Sequence, residues 1–169
     1  MLLIDIIDQD VFRAMSIFLK TFLPSNIEIV QAQDNRVPMP IGEFVAMNNV
    51  GMERLSLNTD SYQDQQKFIL TPTKFEMQLD FYGPTSQVFC IETVSLFRDE
   101  IATEIFPKNI QPLYADDPHQ MPLINGEDQY EQRWRLLATL QYNPILTTAQ
   151  QSALHVEVGV HPIDQIFPI

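Results

Sequence analysis

The sequence predicts an α+β domain, a largely antiparallel β-sheet packed by helices on one face, and three observations carry that prediction. Apolar residues recur at helical spacing near the start of the chain. Alternation of apolar and polar residues marks two segments farther on, Lys74 to Tyr82 and Tyr130 to Tyr142, the second with Gln132 and Leu137 as exceptions. Between these two lies a broad apolar stripe that begins at a Gly-Pro break. The 169 residues, 45% hydrophobic and 19% charged, suit one domain over residues 1–169 with a full core, so global disorder is excluded.

In chain order, Val11, Phe12, Met15, Phe18, Leu19 and Phe22 form the stripe of an amphipathic helix, with Asp8 or Asp10 as its cap and Pro24 as its stop. Residues 27–33 and 42–48 read as two β-rich strands joined by the rigid Val37-Pro-Met-Pro-Ile connector. Phe75, Met77, Leu79 and Phe81 face the core of the next strand. After Gly83-Pro84, Val88, Phe89, Ile91, Val94, Leu96, Phe97 and Ile101 predict a second helix covering the sheet.

From Phe106 to Asp128 the pattern dissolves among Pro107, Pro112, Pro118, Pro122 and Gly126, which predicts a long loop. Tyr130, Trp134, Leu136, Ala138, Leu140 and Tyr142 then give a long strand with one apolar face. Residues 147–153 read as a helical turn or two, residues 154–158 as a last strand, and residues 163–169 as an apolar tail. No internal repeat or interdomain linker interrupts this order.

Function classes are narrowed by charge and by missing motifs. With 22 acidic against 10 basic residues the formal charge is −12, the wrong sign for gripping phosphates. The lone Cys90 admits no internal disulfide and falls beside the second helix's stripe, as a buried core residue does. Asp5 and Asp8 stand where a secretory leader needs a basic end and an apolar run. No stretch approaches the length of a membrane span, so folding in a reducing cytoplasm is expected.

No phosphate cradle, nucleophile elbow or zinc motif is present, and His119, His155 and His161 lack the spacing of a metal or nucleophile site. The residues therefore predict neither an enzyme nor a bound cofactor or metal. The adjacent Asp116 and Asp117 in a Pro-flanked loop read first as solvated or interface acids, with a small ligand- or metal-binding domain as the competing class.

Two segments stand out as interface material. Asn35-Arg36-Val37-Pro38-Met39-Pro40 stiffens a turn. The acidic stretch from Pro112 leads through Tyr114, Asp116, Asp117, Glu127 and Asp128 into a strand opening with Arg133, Trp134 and Arg135. If copies of the chain assemble through these segments, Arg36 is expected to pair across subunits with one of Asp116, Asp117, Glu127 or Asp128, and Arg133 and Arg135 to find acids on the neighbour.

Residues 35–40, Gln78-Leu-Asp-Phe-Tyr-Gly-Pro84, Pro112-Leu-Tyr-Ala-Asp-Asp-Pro118, Asn125-Gly126 and Gln129-Tyr-Glu-Gln-Arg-Trp134 together resemble the bacteriophage tail terminator, or neck terminator, family. The resemblance covers about residues 27 to 145. It implies a structural virion protein that forms a homo-oligomeric ring, typically a hexamer, on the head-proximal end of the tail tube. The tail tube protein, a head-tail connector or head-completion protein and a sheath protein are the implied partners. A head-completion adaptor ring is the alternative within the same class. In a ring, an acidic lumen would let DNA pass without specific binding.

Overall fold

The computed structural model describes residues 3–5, 7–32, 40–121, 123–124 and 130–150. Their order is β1 (Leu3–Ile4), α1 (Asp8–Lys20), β2 (Glu28–Gln31), β3 (Phe44–Arg54), β4 (Thr59–Gln63), β5 (Gln66–Leu70), β6 (Thr73–Tyr82), α2 (Ser86–Phe97), α3 (Glu100–Ile105), β7 (Ile110–Ala115), β8 (His119–Gln120), β9 (Leu123–Ile124), β10 (Tyr130–Glu131), β11 (Arg133–Tyr142) and β12 (Ile145–Ala149).

The predicted first helix is α1. Its cap position is Ile7, and Asp10 reaches back to accept the Ile7 N–H at 3.1 Å. Asp8 and Asp10 complement the helix dipole from the first turn and Lys20 from the last. Val11, Phe12, Met15, Phe18 and Leu19 are buried as the stripe requires.

A six-stranded sheet runs β2-β3-β6-β11-β7, with β8 also paired to β11. It is antiparallel except for β2 and β3, which run parallel. The first alternating segment becomes β6 and the second becomes β11 from Arg133 on, its start at Tyr130–Glu131 being the separate strand β10; β6 and β11 pair over ten positions from Tyr82 opposite Arg133 to Thr73 opposite Tyr142. Phe75, Met77, Leu79 and Phe81 thus share a face with Leu136, Ala138 and Leu140, and this face meets α1, α2 and α3 in one core. A smaller stack forms on the opposite face, where Phe44 and Tyr82 lie 4.4 Å apart and nearly parallel. A second sheet, β1-β12-β5-β4, and the β9-β10 pair complete the described architecture.

Three expectations are corrected. The single helix predicted after Pro84 is two, because Asp99 breaks the run and caps α3 by accepting the Ile101 N–H at 3.1 Å. Cys90, Thr93, Val94 and Phe97 face inward, whereas Val88, Ile91 and Ile101 of the expected stripe are exposed. The predicted Phe106 to Asp128 loop contains β7, β8 and β9. Pro112 sits in β7 because that strand is a sheet edge, beside the irregularity between Thr139 and Leu140.

Residues 145–149 form β12 rather than the expected helical turn, since Ile145, Thr147 and Thr148 find a partner in β5. The β4-β5 hairpin, in a stretch for which the sequence predicts no element, exists without any apolar alternation. Its Asp64-Gln65 turn has positive φ at both residues, the conformation of a two-residue type I′ connection. The strand expected over residues 154–158 and the apolar tail at 163–169 lie outside the described residues.

Candidate functional site

The polar edge of β7 and the helix-free face of β11 bring several of the predicted interface residues together. Asp116, Asp117 and Arg135 line a shallow hollow of about 170 Å3 with Val50, Gln78, His119 and Leu137. The strand pairing explains the meeting, because Arg135 lies opposite His119 on β8 and Ala138 opposite Ala115 on β7. The Asp116 N–H also donates to the Leu137 carbonyl at 2.9 Å.

Arg98, at the end of α2, anchors this edge. Its guanidinium donates to the Ala115 carbonyl at 2.7 and 3.0 Å and to the Asp117 carboxylate at 2.9 Å. It also lies 5.2 Å from the centre of the Tyr114 ring. The Asp117 carboxylate, more than the tyrosine, holds the guanidinium above its ordinary pKa. Tyr114 remains exposed.

Arg133 is bound differently from Arg135. It donates from Nε and Nη2 to one oxygen of Asp80, at 3.1 and 3.0 Å, while Gln78 donates to the other oxygen at 2.7 Å. Asp80 is 1% exposed. The Arg133 guanidinium also stands 5.5 Å from the Tyr82 ring centre, extending the Phe44-Tyr82 stack. Burial pulls the Arg133 pKa down, and the Asp80 carboxylate outweighs it. Arg135 forms no ion pair among the described residues, although it stands directly opposite Asp80 in the ladder.

Of the remaining candidates, Pro40 is half-buried, and Asn35, Arg36, Pro38, Glu127 and Asp128 lie outside the described residues. Sequence reasoning missed Arg98 and Asp80 as the chain's own partners for Asp117 and Arg133. The available signal was an acid at Asp80 within the alternating strand, whose partner only the strand register reveals. A second hollow, about 410 Å3, opens between α1 and α3 over Ala14, Ile17, Ile105 and Ile110, with Asp10 and Arg13 at its rim. Among the described residues no three His, Cys, Asp or Glu side chains gather as a metal site, and no helix is long and apolar enough to cross a membrane.

A solved sheath/tube terminator of an extracellular contractile injection system, PVC, in its extended state, superposes with a TM-score of 0.53 at 12% identity over 97% of this chain. The match takes in 65% of that protein's length and shows a shared fold. No curated protein matches. The family model of phage neck terminator proteins matches residues 3–165. With nearly its whole length matched, the chain belongs to the phage neck terminator protein family.

Proposed function

We propose that six copies of this chain close into a ring at the head-proximal end of a phage tail tube, end tube growth there and present the opposite face to the head connector or head-completion protein. The observation that carries this reading is the family match across residues 3–165. The ring is a virion component assembled in the host cytoplasm, and its partners are further copies of itself, the tail tube protein and the connector. The PVC neighbour is titled a terminator of sheath as well as tube, which is the ground for adding a sheath protein. The ring acts without catalysis or cofactor.

A closed ring joins one patch to a different patch on the next copy. Asn35, Arg36, Pro38 and Pro40 are proposed for one side, and Tyr114, Asp116, Glu127, Asp128 and Arg135 for the other. Asp117 and Arg133, already ion-paired within the chain, hold that second surface in shape. With a formal charge of −12 per copy, the lumen repels phosphate and lets DNA pass without specific binding.

The test is the solution mass of the purified protein by light scattering, alone and with tail tube protein. A closed multimer near six copies, or one that forms on tube ends and stops their growth, is the expected result. A monomer indifferent to tube protein but stabilised by a divalent cation overturns the reading in favour of a ligand-binding domain. At finer grain, Arg36→Glu is expected to abolish the ring, and full assembly of that variant refutes the Arg36 contact.

A further inference from the structure

Two exposed apolar surfaces lie outside the interface just proposed. The first is an arm. Every residue from Met52 to Gln66 is exposed, through the end of β3, the linker at 55–58, β4 and its turn. The arm carries Met52, Leu55 and Leu57, the last 80% exposed, and Arg54, which forms no ion pair among the described residues. The Leu55 N–H donates to the Pro72 carbonyl at 2.9 Å, which ties the arm's base to the strand beneath it. Met52 still meets the core by accepting the Tyr142 hydroxyl at 3.3 Å, whereas Leu55 and Leu57 are exposed and contribute nothing to the core, which marks them as an interaction surface.

The second is the outer face of α2. Its inner face is already buried through Cys90, Thr93, Val94 and Phe97, yet Val88 and Ile91 stand outward at 53% and 47% exposure. Glu92, beside them, is the only charged residue in this twelve-residue helix and has no ion-pair partner among the described residues. Val88 and Ile91 thus form a small exposed apolar patch on a face that also carries Gln87, Glu92 and Ser95.

Register places the two surfaces at opposite ends of one strand. Arg54 pairs with Thr73 at the start of β6, and Phe44 pairs with Tyr82 at its end, just before α2. Ten residues of strand span about 30 Å, so the arm's base and the start of α2 are held apart within one copy. Two dissimilar apolar patches, one with a free cation and one with a free anion, at opposite ends of one strand are what a head-to-tail contact requires.

The geometry points to a contact between neighbouring copies in which the Arg54 to Leu57 arm of one covers Val88 and Ile91 on α2 of the next, with Arg54 against Glu92. This contact rests on the ring reading above and gives it a second, apolar seam.

The full chain carrying both Leu57→Cys and Ile91→Cys, treated with a short bismaleimide, tests it. Cys90 is fully buried, so the two new thiols are the reactive ones. A ladder of covalent multiples is expected from the double variant, and dimers alone from a mixture of the two single variants. In parallel, Arg54→Glu is expected to weaken assembly about tenfold and Glu92→Arg in the same chain to restore it. A ring mass that persists with no ladder overturns this contact and leaves the ring standing. No ladder and no ring, alone or on tube ends, overturns both.

Discussion

At the level of single residues, Asp80 is the most buried acid among the described residues. Both its oxygens are engaged by Arg133 and Gln78 in a nearly dry site, so truncating it leaves a half-buried guanidinium unpaired. Asp80→Ala is expected to destabilise the fold by about 3 kcal/mol, read as a lowered urea midpoint at unchanged slope. Replacing the pair together, with Asp80→Leu and Arg133→Met, recovers much of that loss, because an apolar pair has no charge to desolvate. Cys90 gives a pH signature. Burial, with a smaller contribution from the Asp80 charge, pushes its thiol from an ordinary value near 9 up to about 12. The unfolded chain therefore releases this proton first, and the contribution to stability, complete below pH 9, declines as pH rises toward 12. Thermal unfolding at pH 7 and pH 10 checks the sign, with a smaller alkaline drop expected in Cys90→Ala. Native protein is expected to resist thiol reagents until denaturant is added.

At the level of elements, the β6-to-α2 corner depends on Gly83. Its φ is +107°, and a Cβ there would come within 2.5 Å of the Glu43 side chain. That side chain is held in place, since its carboxylate accepts the Thr85 N–H at 2.8 Å and the Thr85 hydroxyl. Gly83→Ala is expected to cost about 2 kcal/mol in equilibrium unfolding, through strain and displacement of Glu43. The elements that were legible in sequence are those with one buried face. Phe75 to Phe81 and Leu136 to Leu140 alternate because the helices cover only one side of β6 and β11. The β4-β5 hairpin was silent for the converse reason: residues 59–63 are exposed on both faces, so no alternation is imposed. Val88 and Ile91 blurred the face of α2 by being apolar where the chain leaves them uncovered, and Pro112 hid β7. In the candidate site, Arg133 and Arg135 are equivalent by composition and spacing. Only the fold, which gives Asp80 to Arg133 and leaves Arg135 in the hollow with Asp116, tells them apart.

Across the whole molecule, the few cations are unevenly used. Arg13, Lys67, Lys74, Arg98 and Arg133 are all ion-paired within the chain, which leaves little positive charge to offset the surplus acids. Duplex DNA is accordingly expected to show no retention by the protein in 150 mM salt, as a gel-shift titration would show. Long-range pairing also shapes how the molecule is made. Leu3 and Ile4 pair with Thr147 and Leu146, and β6 pairs over its full length with β11, some fifty residues later. A chain stopped after residue 132 lacks both late strands and is expected to stay unfolded by circular dichroism. Early and late segments must therefore meet before either sheet is complete, a topology that folds slowly. During translation β6 emerges well before β11 can shield its apolar row, and the four-stranded sheet waits for residue 149. The order of synthesis thus acts as a timer: a nascent chain holds neither finished sheet, and copies become competent to join one another only after the last of these strands has left the ribosome.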